Sequence, residues 1–159
     1  MKLTTKGRYA VTAMMDLSLH GKIDNVALTD IAARQNISLA YLEQLFGALR
    51  KAGLVSSVRG PKGGYRLARA DSDISLADIL VAADEQINLT CGGGTTCSHE
   101  DPCLTHGLWN NLSDEFFEFL DSKKLASMVR TRYVQTKATE QDTSIIGNIP
   151  VQLQTVSTS

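Results

Sequence analysis

Ile37-Ser38-Leu39-Ala40-Tyr41-Leu42-Glu43-Gln44-Leu45-Phe46-Gly47-Ala48-Leu49-Arg50-Lys51-Ala52-Gly53 is the stretch that decides the fold. Leu42, Leu45, Phe46 and Leu49 recur at three- and four-residue spacing, which gathers them on one helical face, while Tyr41, Glu43, Gln44, Arg50 and Lys51 fall largely on the other. Ser38 can accept from the first unpaired backbone amides and Gly53 stops the pattern, so the spacing predicts a helix from Leu39 to about Ala52. Immediately before it, Leu28 to Ile37 reads as a shorter helix with Thr29 as its cap, Ile31, Ala32 and Ile37 as its buried side, and a turn at Asn36-Ile37. Two such helices joined by a tight turn form a helix-turn-helix, whose second helix presents its first turns to base edges in a major groove.

The flanking residues extend that reading. Leu54 to Val58 alternates as a strand, Arg59-Gly60-Pro61-Lys62-Gly63-Gly64 cannot be helical, and Tyr65-Arg66-Leu67 returns as a second strand, together a wing hairpin with Arg59 and Lys62 at its tip. Its glycines lack the spacing and the Lys-Ser/Thr ending of a nucleotide-binding loop. Upstream, Tyr9 to His20 carries Val11, Met14, Met15 and Leu17 at helical spacing, with Gly21 as the stop. Downstream, Ser75-Leu76-Ala77-Asp78 is a capping box opening a helix through Ala83, and Leu104 to Leu120 forms a helix with a broad apolar face that includes Leu108, Trp109, Leu112, Phe116, Phe117 and Phe119. A face this wide fits a homodimer interface, and a two-fold dimer would space two reading helices about one DNA turn, roughly 34 Å, apart. A short helix from Lys123 to about Arg132 follows, and residues 136–159 read as a flexible tail. The expected fold is mainly α with a small β-hairpin wing. It divides into a winged helix-turn-helix at 1–70, a ligand loop with dimerisation helices at 71–135, and the tail.

Charge is unevenly spread over the 159 residues. Residues 1–70 carry eleven Lys and Arg against four Asp and Glu, a surplus of seven, whereas residues 71–159 carry five against thirteen, a deficit of eight that leaves the net charge at -1. A basic first half suits a polyanion such as double-stranded promoter DNA. No apolar run approaches the roughly 18 to 20 residues of a membrane span, and no cleavable leader is evident, so a cytoplasmic protein is expected. No set of acid, base and nucleophile stands out, and no enzymatic activity is expected.

The three cysteines, Cys91, Cys97 and Cys103, fall in one thirteen-residue window, in the order Cys91-Gly-Gly-Gly-Thr-Thr-Cys97-Ser-His-Glu-Asp-Pro-Cys103-Leu-Thr-His106. An odd number of thiols in a cytosolic context argues against a disulfide framework. Thiolates favour zinc, copper(I) or iron–sulfur centres, and one imidazole completes a four-ligand set. Two five-residue gaps suit a two-iron cluster better than the closer pairs usual at structural zinc, which stays as the alternative. His106, near the start of the following helix, is the expected fourth ligand, with His99 the competitor.

The segments Leu3 to Val11, Ile37 to Phe46, Gly53 to Pro61 and Cys103 to His106 together resemble the family of bacterial regulators of iron–sulfur cluster assembly genes, over about residues 1–135. The resemblance implies a homodimeric winged-helix repressor and activator holding a [2Fe-2S] cluster on Cys91, Cys97, Cys103 and His106, with iron–sulfur scaffold proteins as cluster donors. It implies base contacts from Tyr41, Glu43 and Gln44, with Arg59 in the wing and Ala40 standing where the pattern has a serine; Ser38 at the start of the reading helix and Lys62 at the wing tip complete the expected DNA-contacting set. Rival readings are a zinc-stabilised winged-helix regulator, a sensor of nitric oxide or cysteine status in the same superfamily, and an iron–sulfur electron carrier, which would need no basic helix-turn-helix.

Overall fold

Thr4 holds extended backbone (φ -70°, ψ 163°) and its hydroxyl accepts from the Gly7 amide at 3.3 Å, so helix α1 runs over Thr5–His20, starting a turn earlier than apolar spacing implies. The molecule is described from a computed structural model, which covers residues 3–85, 87 and 104–147. Helix α2 (Leu28–Gln35) starts from Ala27, not from a Thr29 cap: Thr29 lies exposed within the first turn, and the Ala27 carbonyl accepts from the Asp30 amide at 3.1 Å. The reason lies one residue upstream. Val26 exchanges two backbone hydrogen bonds with Tyr65, at 2.9 and 2.8 Å, so the chain is extended up to Val26 and free to coil from Ala27 onward. Asn36 then turns through left-handed backbone (φ 52°), and Ser38 caps helix α3 (Leu39–Lys51) by accepting from the Tyr41 amide at 3.3 Å.

Strands β1 (Val55–Val58) and β2 (Gly64–Leu67) pair antiparallel with Val55 opposite Leu67 and Val58 opposite Gly64. The Val26–Tyr65 bridge adds a third, one-residue rung to this hairpin. It depends on Gly64, whose φ is 150° and where a Cβ would lie 2.6 Å from the Val26 carbonyl oxygen. Helix α4 (Leu76–Ala82) opens on the expected capping box: the Asp78 amide donates to Ser75 Oγ and the Ser75 amide to Asp78 Oδ2, each at 3.0 Å.

Helices α5 (His106–Ser122), α6 (Leu125–Val129) and α7 (Arg132–Gly147) complete the chain. Residues 136–147 are therefore helical, which corrects the reading of a flexible tail from residue 136; residues 148–159 lie outside the described residues. The polar composition hid this helix. Thr136, Thr139, Thr143 and Ser144 satisfy their hydroxyls on carbonyls one turn back, at 2.9 to 3.1 Å, and Val134, Ala138 and Gln141 form the half-buried side.

The core is organised around α1. Ala10, Ala13, Met14 and Leu17 are fully buried, in one cluster with Ile31 of α2, with Leu42, Leu45, Phe46 and Leu49 of α3, and with Ile74, Ile79, Leu125 and Val129 beyond the wing. Phe46 meets Tyr65 edge-on at 4.8 Å between ring centroids, which packs the wing's root against the reading helix.

Candidate nucleic-acid interface and ligand loop

Burial of Leu42, Leu45, Phe46 and Leu49 fixes the rotation of α3, and the same rotation leaves Ser38, Ala40, Glu43 and Gln44 exposed. Tyr41 is half-buried, because its ring lies edge-on to that of Tyr9 at 5.6 Å. Arg59 and Lys62 are exposed at the wing tip, flanking Gly60 and Pro61, and the Lys62 carbonyl accepts from the Asn25 side chain at 3.1 Å. Arg50, at the end of α3, donates to Ser57 Oγ at 3.4 Å, and Arg66 donates to Ser56 Oγ at 3.3 Å. A polar stripe on α3 and a basic, glycine-rich wing tip are thus parts of one packed unit, the arrangement a winged helix uses to engage a groove and an adjacent backbone together.

The first helix of the motif is fastened by a buried ionic network that the sequence did not reveal. Asp16 of α1 has a fully buried side chain and accepts from Arg34 Nε and Nη2 at 2.9 and 2.7 Å and from Gln35 Nε2 at 2.7 Å. Burial pushes its carboxyl up, but the hydrogen bonds from His20, Arg34 and Gln35 outweigh that and hold it at about 2. His20 Nδ1 lies 2.9 Å from the Asp16 carbonyl and 3.4 Å from its carboxylate, while Nε2 lies 3.1 Å from Asp142 of α7. The bond to Asp16 raises the His20 pKa above 6.5 against the opposing effect of burial. Gln35 also reaches Gln141 at 3.1 Å, so α1, α2 and α7 meet in one polar cluster. The available signal was an aspartate on the apolar side of α1 with a histidine four residues on; its partners, eighteen and more residues away, were not readable.

Of the expected ligands, Cys91, Cys97 and Cys103, like the competitor His99, lie outside the described residues. His106 is the first residue of α5 and half-buried, with Asn110 one turn along placing its side-chain nitrogen 3.1 Å from Nε2. Three thiols plus an imidazole are donors suited to an iron–sulfur or zinc centre, so the residue types fit such a group. Among the described residues no three His, Cys, Asp or Glu side chains gather as a metal site, and no helix is long and apolar enough to cross a membrane.

Beyond His106, α5 exposes Leu108, Leu112 and Phe119 along one stripe at 62%, 40% and 55%, while Trp109, at 38%, lies about a quarter turn round the helix and Phe117, at 44%, about half a turn. So much apolar surface on one helix exceeds the scattered exposed residues of a typical monomer.

The Rrf2 family model, described as an iron-dependent transcriptional regulator, matches residues 3–131. The chain belongs to the Rrf2 family. Its relatives within and around this family carry regulatory names. The transcriptional regulator IscR of Photorhabdus laumondii is 52% identical over 143 residues, spanning 89% of this chain and 87% of that one. The solved structure of T. potens IscR superposes with a TM-score of 0.67 at 42% identity, covering 82% of this chain and 87% of its own. CymR, the global cysteine regulator of B. subtilis, gives 0.68 at 36% identity over 80% and 95%. This Rrf2 protein is accordingly a DNA-binding transcriptional regulator, not an enzyme, and its mainly α fold with a two-stranded wing is that of the family's solved members.

Proposed function

We propose that this Rrf2 regulator senses iron–sulfur cluster supply and represses or activates iron–sulfur cluster assembly and related genes. The observation that carries the reading is the Cys91, Cys97, Cys103 and His106 pattern running directly into α5 in a chain about half identical to proteins named IscR. The four residues would hold a [2Fe-2S] cluster delivered by scaffold proteins, and the bound group would supply a labile centre whose gain and loss report cellular demand.

The chain's own residues supply the response. Ser38, Ala40, Tyr41, Glu43 and Gln44 face the major groove from α3, and Arg59 and Lys62 meet the backbone or narrow minor groove from the wing. Glu43 accepts from a cytosine amino group and repels phosphate and the electronegative edge of guanine, so it excludes wrong sites as well as choosing right ones. Ala40 offers only a methyl, which suits contact with a thymine methyl instead of a hydrogen bond. The α5 stripe of Leu108, Leu112 and Phe119 is covered by a second copy of the chain, pairing two reading heads in the cytoplasm.

The test is iron, acid-labile sulfide and zinc per monomer on protein purified without oxygen, with a visible spectrum and promoter binding of loaded and stripped forms. About two irons and two sulfides, with promoter affinity that differs between the forms, is the expected result. Stoichiometric zinc without sulfide would replace the reading with a structural metal site. Metal-free protein whose DNA binding follows thiol compounds would move it toward the cysteine regulator it also resembles in structure.

A further inference from the structure

The ligand loop is rooted at Glu85. Asp84 adopts left-handed backbone (φ 61°), and the amides of Asp84 and Glu85 donate to the carbonyls of Val81 and Leu80 at 2.9 and 3.0 Å, a paired C-terminal turn that fixes the direction in which Glu85 leaves α4. Its carboxylate Oε1 accepts from the Gly7 amide at 3.0 Å and from the Thr4 hydroxyl, so a side chain from the root of the loop closes the N-terminus of α1. The fit is tight: a Cβ on Gly7 would lie 2.5 Å from Oε1 and 2.6 Å from Glu85 Cγ. Ile87, two residues on, is buried with Ala77, Leu80 and Leu120 between α4 and α5. At the other end, Tyr9 stands two residues beyond Gly7, and its ring meets Tyr41 in the first turn of α3.

We infer that Glu85 is a positioning residue through which the state of the ligand loop reaches the reading helix. The inference rests on the cluster-sensing reading above. Glu85 precedes Cys91 by six residues, so a change in how residues 91–106 are held acts on the segment carrying its carboxylate. That carboxylate satisfies helix-terminal donors, and moving it shifts the first turn of α1 and with it the Tyr9 ring against which Tyr41 is set. The two loop states then differ in a specific contact, which is what a coupling between sites requires.

The experiment compares full-length wild type with Glu85→Ala, Glu85→Gln and Gly7→Ala, each reconstituted with ferrous iron and sulfide and, separately, stripped by chelator. Affinity is read by anisotropy on a duplex that the protein selects from a random pool. Wild type is expected to show a ratio between the two forms of roughly 5- to 150-fold. E85A removes the acceptor, and G7A evicts it with a methyl group while favouring the helix. Each brings the ratio within about twofold of one, whereas E85Q, which keeps an acceptor oxygen, retains most of it. Amide exchange at residues 4–9 should differ between the two wild-type forms and not between the two G7A forms. A wild-type ratio that persists in both E85A and G7A overturns the role of Glu85 and leaves the sensing function standing. Equal weakening of both forms, with the ratio kept, overturns it too, since Glu85 is then only a cap. A wild-type ratio of one removes the sensing function and this inference together. Should E85A not fold, G7A decides alone.

Discussion

Replacing Asp16 with alanine should cost this protein a large part of its stability and much of its DNA affinity. The carboxylate is fully buried and accepts two bonds from Arg34 and one from Gln35, and the Arg34 side chain is itself only 9% exposed. Asp16→Ala therefore leaves a buried guanidinium without its counter-charge, a defect worth about 3–5 kcal/mol. Against an ordinary total of roughly 5–15 kcal/mol this is severe, and at about 2–4 °C per kcal/mol it lowers Tm by roughly 6–20 °C. Arg34→Ala should cost a similar amount. The double change Asp16→Ala with Arg34→Ala removes both charges and should cost far less than the two single changes combined. Urea unfolding followed by far-ultraviolet circular dichroism gives the four corners of the cycle, and anisotropy on a target duplex below the melting range shows whether α2 still supports α3. The same carboxyl sets an acid limb. Held at about 2 instead of 3.8, it contributes roughly 2 kcal/mol that is fully present above about pH 4 and disappears as the pH falls through 2. A loss under about 1 kcal/mol for D16A, or a coupling within about 0.5 kcal/mol of zero, would refute the reasoning.

The remaining expectations are simpler to check. Because His20 is raised above 6.5, its bridge from Asp16 to Asp142 is complete below pH 6.5 and weakens as the pH climbs through the raised value; wild type should lose more stability in urea between pH 6 and pH 8 than His20→Gln does, and equal losses would discard the bridge. Gly64→Ala sets a methyl 2.6 Å from the Val26 carbonyl at φ 150° and should destabilise by about 1–3 kcal/mol, read from the urea midpoint, whereas a change below about 0.5 kcal/mol would show that the wing's third rung gives way freely. Arg59→Ala should weaken DNA binding by about 1–3 kcal/mol if it reads a base or narrow groove, or flatten the salt dependence by about one if it neutralises a phosphate; an unchanged affinity and salt slope would take the wing out of the interface. Leu112→Asp places a charge in the exposed α5 stripe and should shift the sedimentation of the protein to a single chain, while a wild type that already sediments as a monomer would end the dimer proposal.

What could be read from the sequence was local. Ser38, Gly53 and the Ser75–Asp78 box act within a few residues of their own positions, and the apolar spacing of α3 is strong enough to set its rotation without any neighbour. What escaped was decided at a distance. Thr29 looked like a cap, yet the Val26–Tyr65 pairing moved the helix start to Ala27. The stretch after residue 135 looked shapeless because its helix is stabilised by hydroxyls bonding back along the chain and by polar contacts to Gln35 and His20, neither of which leaves an apolar period. In the site, the exposure of Glu43, Gln44, Arg59 and Lys62 followed from the pattern, whereas Tyr41, expected to face outward, is half-buried against Tyr9, and the Asp16–Arg34 clasp and the Glu85 contact join residues 18 and 78 or more positions apart.

The rung between Val26 and Tyr65 also ties the wing to the loop that leaves α1. Asn25, the residue before Val26, donates to the Lys62 carbonyl at 3.1 Å, so the same loop holds the wing at its root and again beside its tip. Asn25 and Val26 both stand in the loop leaving α1, so the placing of the wing beside α3 is set by the helix that also carries the core.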